Sequence, residues 1–412
     1  MTHADTLLRN CTIIDCVADR PIGAGAIWVR GGRIEQSGTE ADVRRAVPEG
    51  IGEIDLAGAY VMPGLVNMHT HFSLALPGTG GDRTRALGPH ALALYMAAGA
   101  RATLRSGVTA VRCVAERDHA DFALRDAITA GEVPGPRIFT AGQGLVCTGG
   151  HGHEGGDTLE CDGADGFRRG VRTQIKAGAD LIKVMISGGV AGRYEQIDTR
   201  QLTRDEMAAV IQTAHDWGRK VTAHAGPAPV IDEAVRLGLD CVEHGYELTE
   251  PVAELMAEHG THFVPTLVVT RCGEFFDELG VPKWMQQRSL DAGPRHERSY
   301  KLALAAGVPM MLGSDMPPFW QFEGTSATVR ELEYMAGFGL TPLAALWAAT
   351  VVPARWLGAD DDFGTVQAGR VADLIAMDED PSRDVSALRS LRWVMKDGQV
   401  VRDDQREARD ER

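Results

Sequence analysis

His69 and His71 stand one residue apart at the end of VMPGLVNMHTHF (61–72), an apolar run that leaves a Pro-Gly turn. Imidazole ligates divalent metals through a neutral ring nitrogen, and residues two apart on a strand face the same side. That spacing suits two ligands on one ion. Four more residues with ligand or acid–base chemistry close short apolar stretches further on: Lys183 in DLIKVM, His224 in KVTAHA, His244 in CVEHG and Asp315 in MMLGSD. Taken singly, each has a plain structural reading. A histidine after an apolar strand is commonly a hydrogen-bonded core residue, and Asp315 would serve as a helix cap. Lys183 is harder to set aside, because a lysine inside LIKVMI must be buried and neutral, paired, or modified. Jointly, such residues reaching the same rim from five different strands point to a built site.

The elements that would position them recur along the chain. From about residue 100, a helical stretch, a glycine and a short β-rich strand repeat in TLRSGVTAV, IKAGADLIKV, HDWGRKVTAH, VRLGLDCVEH, AEHGTHFVP and LAAGVPMML. Glycine just past a helix enters the left-handed cap without a Cβ clash, so each phrase marks a helix end and a strand start. With the His69 strand and PRIFTAG (136–142) there are eight candidate strands. Alternation predicts parallel strands with crossover helices, and eight of them predict a closed (β/α)8 TIM barrel over residues 63–357. An open doubly wound sheet is the alternative. In a barrel, all six residues fall on the C-terminal rim, where such folds carry their sites. The two ends read as hairpins, so residues 1–62 and 358–402 are expected to pair as one small β-sandwich. Residues 403–412 read as a mixed-charge tail with nothing to bury.

Composition narrows the partners. The 412 residues are 44% hydrophobic, enough for a large core, and the formal net charge of -15 with a pI near 5.3 argues against a nucleic-acid partner. No apolar run reaches the roughly 18 to 20 residues of a membrane span, and the N-terminus lacks the plan of a secretory signal. The expected location is cytoplasmic. Seven scattered cysteines without a C-x-x-C pair suggest reduced core thiols, neither disulfides nor a thiolate zinc site.

MPGLVNMHTH, IKVMISGG, TAHA, VEHG and LGSD, followed by GTVQAGRVADLIAMDEDP, come in an order that resembles the amidohydrolase superfamily of metal-dependent hydrolases over nearly the whole chain. The similarity is to its prolidase-like and imidazolonepropionase-like branch. It implies two divalent metal ions, with zinc the expected one. By this resemblance His69 and His71 bind the first metal, His224 and His244 bind the second, and Lys183 bridges both once its amine is carboxylated. Asp315 would bind the first metal, take the proton of the attacking hydroxide and pass it to the leaving amine. Single-metal deaminases of the superfamily carry H-x-x-E after the fifth strand. Here Pro227 stands in place of that glutamate, although His244 to Glu247 spells H-x-x-E after the sixth strand and keeps deamination of a heterocycle as an alternative.

TGGHGHEGGD (148–157) is similar to the G-G-H-G segment of the same branch, which implies that His151 donates to the substrate carbonyl oxygen. His153 flanks it without an assigned role. Tyr246 would reach the same oxygen or a substrate carboxylate, or else be a packed loop aromatic. Gly188 and Gly189 could turn N–H groups toward an anion as a nest. Arg193 would supply a contact to a carboxylate, or be a solvated surface residue. Phe319, Trp320 and Phe322, in MPPFWQF, would line a pocket, meet a neighbouring subunit or cover the barrel mouth. The expected function is binuclear hydrolysis of an amide bond in a small molecule, an N-acyl amino acid or dipeptide-like compound with an apolar or aromatic portion. A carbamate, urea or lactone hydrolase is the alternative on the same site, and a non-catalytic scaffold is disfavoured because all six ligand positions are filled. Barrel hydrolases of this kind are often homo-oligomers.

Overall fold

The structure is a computed structural model that describes residues 5–410, without the side chains of residues 274, 322, 409 and 410. The chain forms two compact units: Met1–Val66 with Arg101–Ala110 and Leu340–Arg412, and Asn67–Ala100 with Val111–Gly339.

The first unit is built from the hairpins that the termini announce. Ile22–Arg30 and Arg33–Thr39 pair antiparallel, as do Leu391–Lys396 and Gln399–Asp403. Tyr60–Pro63 joins the two ends of the chain, pairing parallel with Thr6–Ile13 on one side and antiparallel with Leu374–Met377 on the other. Because this strand links both terminal pieces edge to edge, the expected sandwich is one continuous eight-stranded sheet. Leu8, Ile27, Val61, Leu374 and Trp393 are buried together in its core. The end of the chain also differs from expectation. Asp404–Asp410 is helical, and Glu407 pairs with Arg105 at 2.8 Å, so a segment with little to bury is ordered through charge.

The second unit carries six parallel strands in the order Thr158–Glu160, Gly144–Val146, Ile182–Met185, Val221–Pro227, Cys241–Glu247 and His262–Val264. Helices Gly163–Ala177, Arg204–Asp216, Ala228–Arg236 and Glu250–His259 supply the crossovers that parallel pairing needs. Gly178, at φ 111°, ends the first of them in the left-handed region, as the helix–glycine–strand phrase predicts. Leu65–Thr70, Val108–Cys113 and Arg137–Thr140 pair in that order, and residues 67–70 and 111–113 of the first two belong to this unit.

Two details depart from the sequence reading. Gly144–Val146 and Thr158–Glu160, which flank the TGGHGHEGGD loop, are additional strands. The stretch VPMML forms no strand of its own: Met310 makes a single parallel bridge to Phe263. Its backbone is nonetheless bonded on both sides. Met311 N–H donates to the Phe263 carbonyl at 2.9 Å, and Met68 N–H donates to the Leu312 carbonyl at 2.7 Å. The protein is thus a mixed α/β structure with parallel sheets. Among the described residues no helix is long and apolar enough to cross a membrane. All seven cysteines are free thiols, and six are buried.

Candidate active site

Leu65–Thr70 is buried along its whole length, and polar bonds fix its end. The Asn67 amide donates to Ser314 Oγ (2.9 Å) and Thr328 Oγ1 (3.1 Å), and its carbonyl accepts from the His69 N–H at 3.1 Å. The His69 carbonyl accepts in turn from the N–H groups of Ser314 (3.1 Å) and Asp315 (2.8 Å). Asp315 is held at φ 55°, a left-handed conformation that aspartate tolerates better than most residues. His244 (φ 66°) and Thr266 (φ 53°) share that conformation, and His244 Nδ1 lies 2.7 Å from Thr266 Oγ1. Strained backbone of this kind persists where surrounding bonds over-determine it, commonly at functional sites.

Asp315 Oδ1 faces two imidazoles, with His69 Nε2 at 3.0 Å and His71 Nε2 at 3.1 Å. The outer nitrogens of both rings are already committed. His71 Nδ1 lies 2.8 Å from the Ala115 carbonyl, which only accepts, so that nitrogen carries the proton and Nε2 presents a lone pair. His69 Nδ1 lies 2.7 Å from Glu243 Oε2, with the same consequence. In neutral rings, two lone pairs and a carboxylate oxygen therefore converge, an arrangement that repels unless a cation sits among them. Without one a proton takes the place: burial opposes a charge on His71, but Asp315 outweighs it and carries the ring up to about 9.

His244 extends the donor set, since its ring, the His69 ring and the Asp315 carboxylate offer ligand atoms within 4.8 Å of one another. His224 Nε2 is 3.0 Å from the Gly188 carbonyl, which leaves Nδ1 as its free donor, and its ring centre is 4.5 Å from that of His244. Lys183 Nζ is buried with no hydrogen-bond partner among the described residues, and burial holds the amine down to about 8. An orphaned ammonium beside four histidines is poor packing, whereas a neutral, modifiable amine is consistent with a metal centre. The donors fit a metal site, with the outer nitrogens of His69, His71 and His224 oriented by acceptors.

One cavity of about 1070 Å³, counted with the open solvent at its mouth, is lined by His69, His71, His151, Lys183, His224, His244, Tyr246 and Asp315. His151 stacks on His224 at 4.1 Å between ring centres, and its Nδ1 lies 2.5 Å from Glu195 Oε1. Glu195 also accepts from Gln201 Nε2 at 2.5 Å and from Gly192 N–H at 3.1 Å. Burial would raise the Glu195 pKa, but His151 and Gln201 outweigh it and hold the carboxyl below its usual range. Tyr246 stacks on His244 at 5.3 Å and meets His296 edge-on at 4.8 Å. His153 lines the cavity too, with Nδ1 2.8 Å from the Gly150 carbonyl.

Other expected residues lie elsewhere. Gly188 N–H donates to the Thr199 carbonyl at 2.8 Å, and Gly189 N–H serves Glu195, so the supposed nest already has an internal anion. Arg193 is exposed and does not line the cavity. Trp320 packs edge-on against Phe275 at 5.5 Å and Phe319 packs close to Gly99, so neither forms the cavity wall. The side chain of Phe322 lies outside the described residues. The apolar wall comes from Val190, Val269, Phe276, Met285 and Met316 instead. Sequence reasoning also passed over Glu243, Glu195 and Asp157. A carboxylate inside the buried strand CVEHGYE was the available signal for the first, and the GGD that ends the glycine-rich loop was the signal for the last.

Residues 60–401 match the amidohydrolase family. The chain is 30% identical to ochratoxinase of Aspergillus niger over 382 residues, 83% of this chain and 75% of that one. It is 27% identical to imidazolonepropionase of Aromatoleum aromaticum over 421 residues, covering 91% of each. Among solved structures, a Xaa-Pro dipeptidase with methionine bound in its active site superposes with a TM-score of 0.85 at 30% identity, over 96% of this chain and 99% of that one. The chain belongs to the amidohydrolase family. It is a hydrolase of carbon–nitrogen bonds.

Proposed function

We propose that the chain hydrolyses the amide bond of an N-acyl amino acid or dipeptide-like compound carrying an apolar or aromatic portion, using two divalent metal ions. The observation that carries this reading is the pair of imidazoles on Asp315 beside a second pair, His224 and His244, with the partnerless amine of Lys183 in the same cavity. His69, His71 and Asp315 would hold one ion, His224 and His244 the other, and Lys183 would bridge them as a carbamate. Zinc suits these imidazole and carboxylate donors. The reading also takes the parallel strands as a closed eight-stranded barrel. The bonds from Met311 to Phe263 and from Met68 to Leu312 support closure through the 309–314 segment.

Bound metal supplies Lewis acidity and brings the pKa of water down from about 15.7 to about 7. The residues of the chain do the rest. Lys183, with its amine near neutrality at about 8, can add to carbon dioxide through Nζ and lose a proton, becoming a long-armed carboxylate. Asp315 accepts the proton of the attacking water and returns it to the leaving nitrogen as the C–O bond forms and the C–N bond breaks. His151 donates to the carbonyl oxygen, with Glu195 fixing the ring through Nδ1. Tyr246 lines the cavity within reach of the same region. Met185, Val269, Phe276 and Met316 receive the apolar portion. The likeness to a Xaa-Pro dipeptidase supports a dipeptide-like substrate.

The test is turnover by metal-replete protein on a broad panel of dipeptides and N-acyl amino acids, with carbamates, ureas and lactones alongside. Cleavage within the first group is expected. Cleavage confined to the second group would overturn the substrate and leave the metal chemistry standing.

A further inference from the structure

Asp157 ends the glycine-rich loop, and it forms part of the wall of the cavity that His71, His151 and Lys183 line. Its Oδ1 is buried with no hydrogen-bond partner. Among the described residues, no side chain and no backbone N–H other than its own donates to this carboxylate. Asp157 is half-buried, and a buried carboxylate oxygen without a donor is costly, so an orphan oxygen of this kind on a cavity-wall residue calls for an explanation.

The neighbouring cations do not provide one. Arg117 donates to the carbonyls of Thr84 (2.6 Å) and Leu87 (3.3 Å) and pairs with Asp118 at 3.8 Å. Arg85, in the same wall, donates to the carbonyls of Leu76 (2.7 Å) and Gly78 (2.7 Å) and to Asp82 at 2.6 Å. Burial raises the pKa of Asp157 against the opposing pull of His71, His151 and Arg117. A cationic ligand in the cavity would add to that pull and balance the carboxylate's charge. Among the described residues no lining arginine is left for a substrate carboxylate, because Arg85 is spent and Arg193 is exposed and does not line the cavity.

We infer that Asp157 is a specificity residue that receives a protonated amine of the substrate, so that the chain favours amides bearing a free basic nitrogen over their neutral or N-acylated counterparts. The inference rests on the amide-hydrolase reading of the same cavity and narrows its substrates to aminoacyl compounds. Charge-assisted N–H donation to a carboxylate in a water-poor wall is among the stronger polar contacts available to a ligand.

The experiment uses the metal-replete full chain and two probes of matched shape, phenethylamine and 2-phenylethanol, with affinity measured by calorimetry. Wild type should bind the amine about tenfold or more tightly than the alcohol. Asp157→Asn should bind both alike while holding the alcohol as wild type does, which also shows that the variant is folded, and Asp157→Glu should retain the preference. Equal affinity in wild type, or a preference that survives Asp157→Asn because the amine sits on the metal, would overturn the inference. Turnover of aminoacyl p-nitroanilides with free and with acetylated amines separates the two readings. Amine selectivity in binding without any amide cleavage would sink the proposed function and support this inference. Cleavage of both series at equal rates would do the reverse.

Discussion

Glu243 Oε2 lies 2.7 Å from His69 Nδ1, and both side chains are shut off from solvent. The same carboxylate pairs with Arg112 and accepts from the Thr222 hydroxyl, while Arg112 Nε donates to the Met68 carbonyl at 2.5 Å. Burial would raise the Glu243 pKa, but Arg112 and His69 more than offset it, so the group stays ionised. A histidine that donates to a carboxylate is fixed in tautomer and orientation and is the more basic for it.

Replacing Glu243 by Gln should therefore weaken metal binding about 10- to 100-fold, read by competition with a chromogenic chelator. The change also removes the anion that pairs with the buried guanidinium of Arg112, so denaturant melts should show a loss of roughly 3 kcal/mol. Unchanged affinity together with lowered stability would make Glu243 a folding residue only.

Lys183→Met should behave in the opposite sense in chelated protein. The Lys183 amine titrates at about 8 in the fold against 10.5 in its absence. Between those values the folded chain binds fewer protons than the unfolded one, so stability rises with pH across that window, and the penalty is complete below about 8. The gap corresponds to roughly 3 kcal/mol. The metal-free variant should be more stable than wild type by up to that amount at pH 7, with the advantage fading from about pH 8 and gone above about 10.5. A variant no more stable than wild type would mean that Nζ is paired in solution.

His151→Asn should retain metal and lower kcat about 10²- to 10³-fold with little change in KM, the signature of a donor that acts on developing charge. Glu195→Gln keeps an acceptor for His151 Nδ1 but removes the charge, so its loss should be smaller. A KM effect without a kcat effect would assign His151 to ground-state binding.

Gly189→Ala probes the close packing of these two rings. A Cβ at this position would meet His151 Cε1 and come within 2.8 Å of His224 Cε1. Both imidazoles would have to shift, so activity and metal retention should fall together while the thermal transition moves by only a few degrees. Full activity in the variant would show that the His151–His224 stack is not needed.

The ligand-type residues were legible because their chemistry is rare in apolar strands: a lysine in IKVM and histidines closing VTAH and CVEH stand out against their neighbours. The helix–glycine–strand phrase made the parallel layout readable for the same reason. What escaped depends on distance in space. Glu195 reaches His151 across 44 residues and Glu243 reaches His69 across 174; nothing local distinguishes Glu195 from a surface acid, and the apolar strand around Glu243 marks it as buried without naming its partner. The VPMML stretch has the composition of a strand, yet it pairs too briefly to be one. Gly313 approaches so closely that a Cβ there would lie 2.9 Å from His69 N, and the backbone bends toward Asp315 just beyond. Trp320 kept several readings because an aromatic on a rim loop can turn toward the core, here onto Phe275, as readily as into a pocket.

The central claim is a two-metal centre bridged through Lys183, and metal content per chain tests it most directly. Elemental analysis of protein purified without chelator should give two divalent ions per chain, falling to one or none in Lys183→Ala. One ion per chain, unchanged in that variant, would contradict the account and make Lys183 a structural residue.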